Sequence, residues 1–286
     1  MKVCRKIDEI RQHLQADKTS GRTIGFVPTM GYLHEGHLSL VRESLNLTDR
    51  TVVSIFVNPT QFGPREDYHQ YPRNLERDIN ILQKLGVDYL FAPSVEEMYP
   101  PGYQTYVEVT ELQNKLCGRS RPGHFRGVCT IVLKLFNIIQ PDWAFFGQKD
   151  AQQAIIIQKM VTDLHLTTRI KVLPIVRDKD GLALSSRNTY LNPQERQAAL
   201  VLYKSLQLAQ QLFAAGERNA TVIKQAMIDL IQQEPLAKID YVAIVEMENL
   251  EELKEIKEPA LVALAVFINR VRLIDNIILS LKEKKS

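Results

Sequence analysis

Cysteine is scarce: Cys4, Cys117 and Cys129 are the three in 286 residues. Odd in number and without CxxC spacing, they argue against a disulfide framework or a structural zinc site and suit a reducing cytosol. Long apolar runs are missing too; none approaches the roughly eighteen residues of a membrane-spanning helix. The N-terminal "MKVCRKIDEIRQHL" alternates charged and apolar residues as a helix would, so it is not read as a secretory leader. An excess of one charge is also lacking, since 36 Lys+Arg against 33 Asp+Glu leave only +3. That is too little to make the whole chain a binder of nucleic acid or membrane surface, and any functional positive charge must be local. There is no GxGxxG dinucleotide fingerprint, internal repeat or low-complexity segment, and "KEKK" near the end reads as a solvated tail.

What is present is 45% hydrophobic residues, enough for one large or two modest domains. Apolar β-rich runs alternate with helical patterns: "RTIGFVPT", "HLSLVRESLNL", "RTVVSIFVN", "NLERDINILQKLG", "VDYLFAPS". The rhythm continues through the helix "VCTIVLKLFNIIQ", the strand "PDWAFFG", the helix "AQQAIIIQKMVTDLHL" and the strand "TRIKVLPIV". Parallel strands need crossovers, so this predicts a doubly wound, Rossmann-like α/β domain over residues 1–176. Residues 177–286 differ in texture, with two helical patterns near 193–214 and 219–233 and three closely spaced strands "DYVAIVEM", "PALVALAVFI" and "VRLIDNIILS". They predict a smaller antiparallel α+β domain.

The segment "GFVPTMGYLHEGHLSL" sits where an apolar strand gives way to an amphipathic helix. In open α/β sheets ligands bind at such carboxyl-end loops, and the unpaired N–H groups and dipole of the next helix favour phosphate. Gly31 and Gly36 let main chain approach an anion, with the glycine spacing of a P-loop, but His37 and Leu38 replace the Lys and Ser/Thr of a Walker site. His34 and His37, at i and i+3, share a helical face from which both imidazoles can donate to one phosphate. Their spacing is one residue short of the HExxH zinc pattern. Lys149, after a buried strand end, is a candidate phosphate cation, and Asp150 a candidate acceptor for a ribose hydroxyl.

HxGH preceded by "PTMG" resembles the HIGH-type signature of the nucleotidyltransferase superfamily. Together with "SIFVNPTQFG", "YPR", "RPGHFRGV", "FFGQKDAQQ" and "LALSSRN", it resembles the pantothenate synthetase family, the pantoate–β-alanine ligases, over essentially the whole length. The resemblance implies ATP-dependent condensation of pantoate with β-alanine through a pantoyl adenylate, releasing pyrophosphate and then AMP. By it, ATP is held by Pro28, Thr29, Met30, Gly31, Tyr32, Leu33, His34, Glu35, Gly36 and His37, by Gly147, Gln148, Lys149 and Asp150, and by Val176, Leu184, Ser185, Ser186 and Arg187. His34, His37, Lys149, Ser185, Ser186 and Arg187 carry the catalysis, the last three in a KMSKS-like loop on the smaller, lid-like domain. Gln153 matches a pantoate-binding position; Gln61, at the carboxyl edge after the strand "VVSIFVN", carries an amide that suits a site meeting both pantoate and β-alanine. Asn58 and Tyr71 lie in the same family-matched region, and Arg121 matches a position near the phosphates or the acidic substrate. Arg119, His124 and Arg126 are given no role.

Magnesium is expected to accompany ATP, held mainly by phosphate oxygens; no carboxylate pair is assigned to it, and Asp78 is the one carboxylate weighed. The family resemblance implies a cytoplasmic homodimer acting on small molecules, without nucleic acid or membrane. Two other classes share parts of the pattern: an HxGH adenylyltransferase that keeps the adenylyl group in its product, and a non-catalytic nucleotide-binding or RNA-associated module. The first does not predict a second acceptor site around Gln61 and Gln153. A tRNA synthetase needs an anticodon-binding region for which the chain is too short and too weakly basic.

Overall fold

Leu38, Val41 and Ser44 fall on the buried face of one helix, and Val27, Val53, Leu90 and Phe145 on strands of the sheet that the helix covers. The computed structural model describes residues 1–64, 66–257 and 259–280; the "KEKK" stretch lies outside the described residues. Up to residue 174 the elements are β1 (Lys2–Cys4), α1 (Ile7–Thr19), β2 (Ile24–Thr29), α2 (Glu35–Leu47), β3 (Arg50–Ile55), α3 (Leu75–Leu85), β4 (Tyr89–Phe91) and α4 (Val95–Met98). There follow α5 (Cys117–Ser120), α6 (His124–Ile139), β5 (Trp143–Gly147), α7 (Ala151–Asp163) and β6 (Arg169–Leu173). The chain clusters into two compact units. The first comprises Met1–Asn114, Arg121–Gln148 and Gln152–Pro174; the second takes Lys115–Ser120, Lys149–Ala151 and the chain from Ile175 onward.

In the first unit six parallel strands lie in the order β1-β4-β3-β2-β5-β6. Chain direction through the sheet reverses at β2, which pairs with β3 on one side and with β5 on the other. The carboxyl end of β2 is therefore the topological switch point, where open α/β sheets bind ligands. Alternation along the strands sends Val27 and Val53 to the face covered by α2 and α3, while Phe26 meets Phe136 of α6 edge to face at 6.3 Å on the other. Because both faces are covered, β2 reads as an almost unbroken buried run. Each fully buried Phe, Leu or Ile there contributes about 1.5–3 kcal/mol.

The second unit holds α8 (Pro193–Ala198), α9 (Leu200–Ala214), α10 (Ala220–Gln232) and the antiparallel sheet β7 (Ala237–Glu246), β8 (Ala260–Ile268), β9 (Val271–Leu279), in that order. The central strand β8 is buried at nearly every position, and Leu206, Ile223, Met227 and Ile231 of α9 and α10 pack with Val242, Ile244, Val262, Leu264 and Val266 of the sheet. The α/β sheet and the antiparallel α+β region are as the sequence patterns predict. Two details differ. The N-terminal segment begins as strand β1 before its helix, and the pattern over 193–214 divides at Ala199 into α8 and α9. Among the described residues no helix is long and apolar enough to cross a membrane.

Candidate active site

The loop from β2 into α2 is shaped from a distance. Gly31 has φ +83° and Tyr32 φ +51°, so two successive residues lie in the left-handed region. A Cβ on Gly31 would come within 2.9 Å of Ile55 Cγ2 and 3.2 Å of Asp78 Oδ2, which leaves room only for glycine. Asp78, buried on α3, accepts the Tyr32 N–H on Oδ2 at 2.7 Å and the Leu33 N–H on Oδ1 at 2.9 Å. Its neighbour Arg77 donates to Asp78 Oδ1 at 3.2 Å and to the Leu33 carbonyl at 2.9 Å, with its guanidinium 5.1 Å from the Tyr32 ring centre. Burial pushes the Asp78 carboxyl above its ordinary range, against the lowering effect of those two amides and Arg77. With both oxygens on loop amides, Asp78 acts as a tether. Thr29 adds a second tie: its hydroxyl donates to the Ser54 carbonyl and accepts the Gly31 N–H.

The two imidazoles cap the helix that follows. His34 is the N-cap of α2; its Nδ1 accepts the Gly36 N–H at 3.2 Å, while His37 Nδ1 accepts the His34 N–H at 3.3 Å. This is the reciprocal logic of a capping box, built from two histidines. The rings lie 4.0 Å apart, tilted by 38°. Because each Nδ1 accepts, the proton of each neutral ring sits on Nε2, and both rings become Nε2–H donors at a positive helix terminus. Glu35 pairs with Arg42 at 2.8 Å on the exposed side of the same turn, and Arg42 holds its carboxyl below the ordinary range. Pro28 lies in β2, and Leu33 is buried in the core. Met30, Gly31 and Tyr32 also line a cleft of about 280 Å³ together with Ile55, Arg73 and Asp78; neither histidine lines it.

At the carboxyl end of β3, Asn58 and Gln61 form a buried pair. Asn58 Nδ2 donates to Gln61 Oε1 at 2.9 Å and to the Gly127 carbonyl at 3.0 Å, and Asn58 Oδ1 accepts from the Tyr99 hydroxyl at 2.9 Å and from Thr60. The Asn58 amide is thereby engaged by protein on both ends and fixes which end of the Gln61 amide faces it. Gly127, in α6, lies so close to this turn that a Cβ there would be 2.3 Å from the Thr60 carbonyl oxygen. Arg121 grips the Glu66 carboxylate with Nε at 2.8 Å and Nη2 at 2.5 Å. The His124 Nδ1–H donates to the Gln61 carbonyl at 2.8 Å, which leaves its Nε2 to accept from Arg121 at 3.1 Å. Tyr71 is buried, edge to face with Phe62 at 5.9 Å. Gln153 is half-buried in the first turn of α7, beside the buried Gln152, which donates to the Leu112 carbonyl at 3.0 Å. Arg126 pairs with Glu108 and lies over Tyr106.

Lys149 and Asp150, which the second unit includes, lie in a 3₁₀ turn over Gln148–Asp150, and the Lys149 ammonium is 3.8 Å from the Asp150 carboxylate. Residues 176–184 fold into a small hairpin, with the Leu184 N–H donating to the Val176 carbonyl at 3.0 Å and the Asp178 N–H to the Leu182 carbonyl at 2.8 Å. Ser185 then caps the 3₁₀ turn Ser186–Tyr190, its hydroxyl accepting the Arg187 N–H at 3.3 Å. Ser186 is buried and Arg187 half-buried.

The structure therefore brings His34 together with His37, Asn58 with Gln61, and Arg121 with Glu66 and His124. Sequence patterns did not point to Asp78 as the tether of the loop, nor to Arg77, Tyr99 or Gly127 as supports.

A parallel α/β sheet with a glycine-bearing, imidazole-capped loop at its switch point defines a nucleotide-handling α/β protein of the HxGH type. The family model for pantoate-beta-alanine ligase matches residues 2–278, and the chain belongs to that family. It is 60% identical over 279 residues to a pantothenate synthetase of Pelotomaculum thermopropionicum, covering 98% of this chain and 99% of that protein. A crystal structure of pantothenate synthetase from Thermus thermophilus superposes with TM-score 0.93 at 45% identity, covering 97% of this chain and 99% of that one. A pantoate-beta-alanine ligase from Francisella tularensis, complexed with beta-gamma ATP and beta-alanine, superposes with TM-score 0.80 at 36% identity, covering 97% of each chain.

Proposed function

We propose that the protein condenses pantoate with β-alanine at the expense of ATP. A pantoate carboxylate oxygen attacks the α-phosphorus and expels pyrophosphate. The β-alanine nitrogen then attacks the acyl carbon of the pantoyl adenylate, loses a proton and expels AMP. The observation that carries this reading is the family match across residues 2–278, with both HxGH imidazoles in the tautomer that donates through Nε2.

Charge accumulates on the phosphate oxygens in the first transition state, so fixed donors there lower the barrier most. His34 and His37 supply two, and the loop backbone from Met30 to His37 holds the nucleotide. Lys149, Ser185, Ser186 and Arg187 supply the cations and hydroxyls for the triphosphate, with Gly147, Gln148, Asp150, Val176 and Leu184 alongside. Gln61 and Gln153 orient pantoate; an amide suits a site that meets both a carboxylate and a hydroxyl. Asn58 acts by orienting Gln61, and Tyr71 and Arg121 border the same region. The domains are taken as 1–176 for nucleotide and pantoate and 177–286 for the lid.

Magnesium is proposed to arrive with ATP. It is taken to be held mainly by phosphate oxygens, and both oxygens of Asp78, the one carboxylate weighed for it, accept loop amides. None of the three cysteines is in a disulfide, which fits a cytoplasmic protein, and the assembly is taken as a homodimer.

The test is an assay with ATP, Mg²⁺, D-pantoate and β-alanine that follows pyrophosphate and AMP while each substrate is omitted in turn. Pyrophosphate should require pantoate but not β-alanine, and AMP should require both. Pyrophosphate release without pantoate, or an adenylyl group retained in the final product, would overturn the proposal.

A further inference from the structure

We infer that Asn276, with Asp275 and Arg177, is a positioning residue for adenylate formation: neighbouring side chains on β9 fix both the Lys149 turn and the hairpin that leads into Ser185–Arg187. The inference rests on the reading that those two elements handle the triphosphate.

A small antiparallel sheet packed on two helices would ordinarily fill its buried positions with apolar groups. Strand β9 instead buries a carboxylate and an amide side by side, Asp275 at 2% and Asn276 at 3% exposure. Arg177 grips Asp275 bidentately, Nη1 to Oδ2 at 2.6 Å and Nη2 to Oδ1 at 2.9 Å. The same guanidinium donates to the Gly181 carbonyl at 3.0 Å and lies 4.4 Å from the Tyr203 ring centre. Arg177 thus fastens the 176–184 hairpin to the strand. One residue along, Asn276 Nδ2 donates to the Lys149 carbonyl at 3.0 Å, while its own N–H donates to Asp275 Oδ1 at 2.8 Å. The hydrogen bond falls on the Lys149 main chain and leaves the ammonium to other partners. Two elements far apart in sequence are referenced to adjacent residues of one strand.

A buried ion pair adds little net stability over apolar residues of similar volume, so stability alone does not account for this one. Position does. A displacement of about 1 Å in a group serving a transition state can cost on the order of a hundred-fold in rate.

Asn276→Ala removes the donor to the Lys149 carbonyl without adding charge. Pyrophosphate release is followed in single turnover with ATP and pantoate, and adenylate accumulated on the enzyme is then chased with β-alanine. The expected result is pyrophosphate release slower by on the order of ten- to a hundred-fold, with unchanged adenylate aminolysis and an unchanged KM for β-alanine. Lys149→Ala is measured in parallel, and the double variant should be no slower than Lys149→Ala alone, because residues acting through one another are not additive. If Lys149→Ala slows release and Asn276→Ala does not, or if Asn276→Ala costs its full factor in the Lys149→Ala background, the positioning role is overturned. If Lys149→Ala itself leaves release unchanged, the underlying assignment of Lys149 fails instead. Should Asn276→Ala not fold, Arg177→Lys keeps the charge and loses the bidentate grip. It should slow release with aminolysis intact, and equal slowing of both steps, or of neither, overturns the role.

Discussion

Asp78, 46 residues further along the chain, accepts the backbone N–H of Tyr32 at 2.7 Å. With the Leu33 N–H on its second oxygen, it holds the only route from β2 into α2 in a left-handed bend. Asp78→Ala would leave both amides without their acceptor. The expected loss is about 1–3 kcal/mol of stability in urea unfolding, with a raised KM for ATP. An unchanged midpoint and an unchanged KM would remove the tether from the account.

His34 combines two jobs that one substitution can separate. In His34→Asn the amide oxygen can replace Nδ1 as acceptor of the Gly36 N–H, but nothing replaces the Nε2–H. His34→Ala should lose about 1 kcal/mol of helix-cap stability, and His34→Asn should regain most of it. Both should fall on the order of a hundred-fold or more in rate of adenylate formation, as should His37→Ala. A His34→Asn variant with near-normal turnover would show that the ring serves only as a cap.

Gly127→Ala drives a methyl to 2.3 Å from the Thr60 carbonyl oxygen and 2.8 Å from the Gln61 nitrogen. Backbone, not a flexible side-chain end, must move, so a destabilisation of about 1–3 kcal/mol is expected. Because the same turn carries Gln61, KM for pantoate should rise while KM for ATP stays within about two-fold, as expected when an effect is confined to one substrate's contacts. Steady-state kinetics with each substrate varied decides this.

Burial pushes the Tyr99 phenol up to about 12. Its folded value exceeds the ordinary value near 10, so the folded state binds this proton more tightly. The associated stability is complete below about pH 10 and is lost as pH rises towards about 12. Tyr99→Phe should therefore flatten the alkaline limb of a plot of unfolding midpoint against pH, besides losing the hydrogen bond to Asn58. Parallel curves for the two proteins would refute the shift.

Elements with strong periodicity were legible in the sequence. The apolar run Ile24–Thr29 followed by the amphipathic Glu35–Leu47 announced both a strand and a helix, and the spacing of His34 and His37 announced their shared face. Strand β1 was not legible, because three edge residues carry too little pattern to outweigh the helical signal after them. The tether from Asp78 was hidden for another reason: a carboxylate in the first turn of a helix has a sufficient local explanation in the helix dipole, and only the folded chain shows it turned toward a loop. The Asn58 amide was equally ambiguous. Its residue type suits a ligand or a scaffold, and burial with partners from Gly127 and Tyr99 is a tertiary property.

The second compact unit recruits Lys115–Ser120 and Lys149–Ala151 from the middle of the sheet-forming chain. In those recruits, Ser120 donates to Asp240, Cys117 meets the Tyr241 hydroxyl at 3.2 Å, and the Lys149 carbonyl meets Asn276. Shuffling this half between relatives as a single cassette would therefore strand both fragments in a foreign host. A workable chimera has to transplant three separate stretches at once.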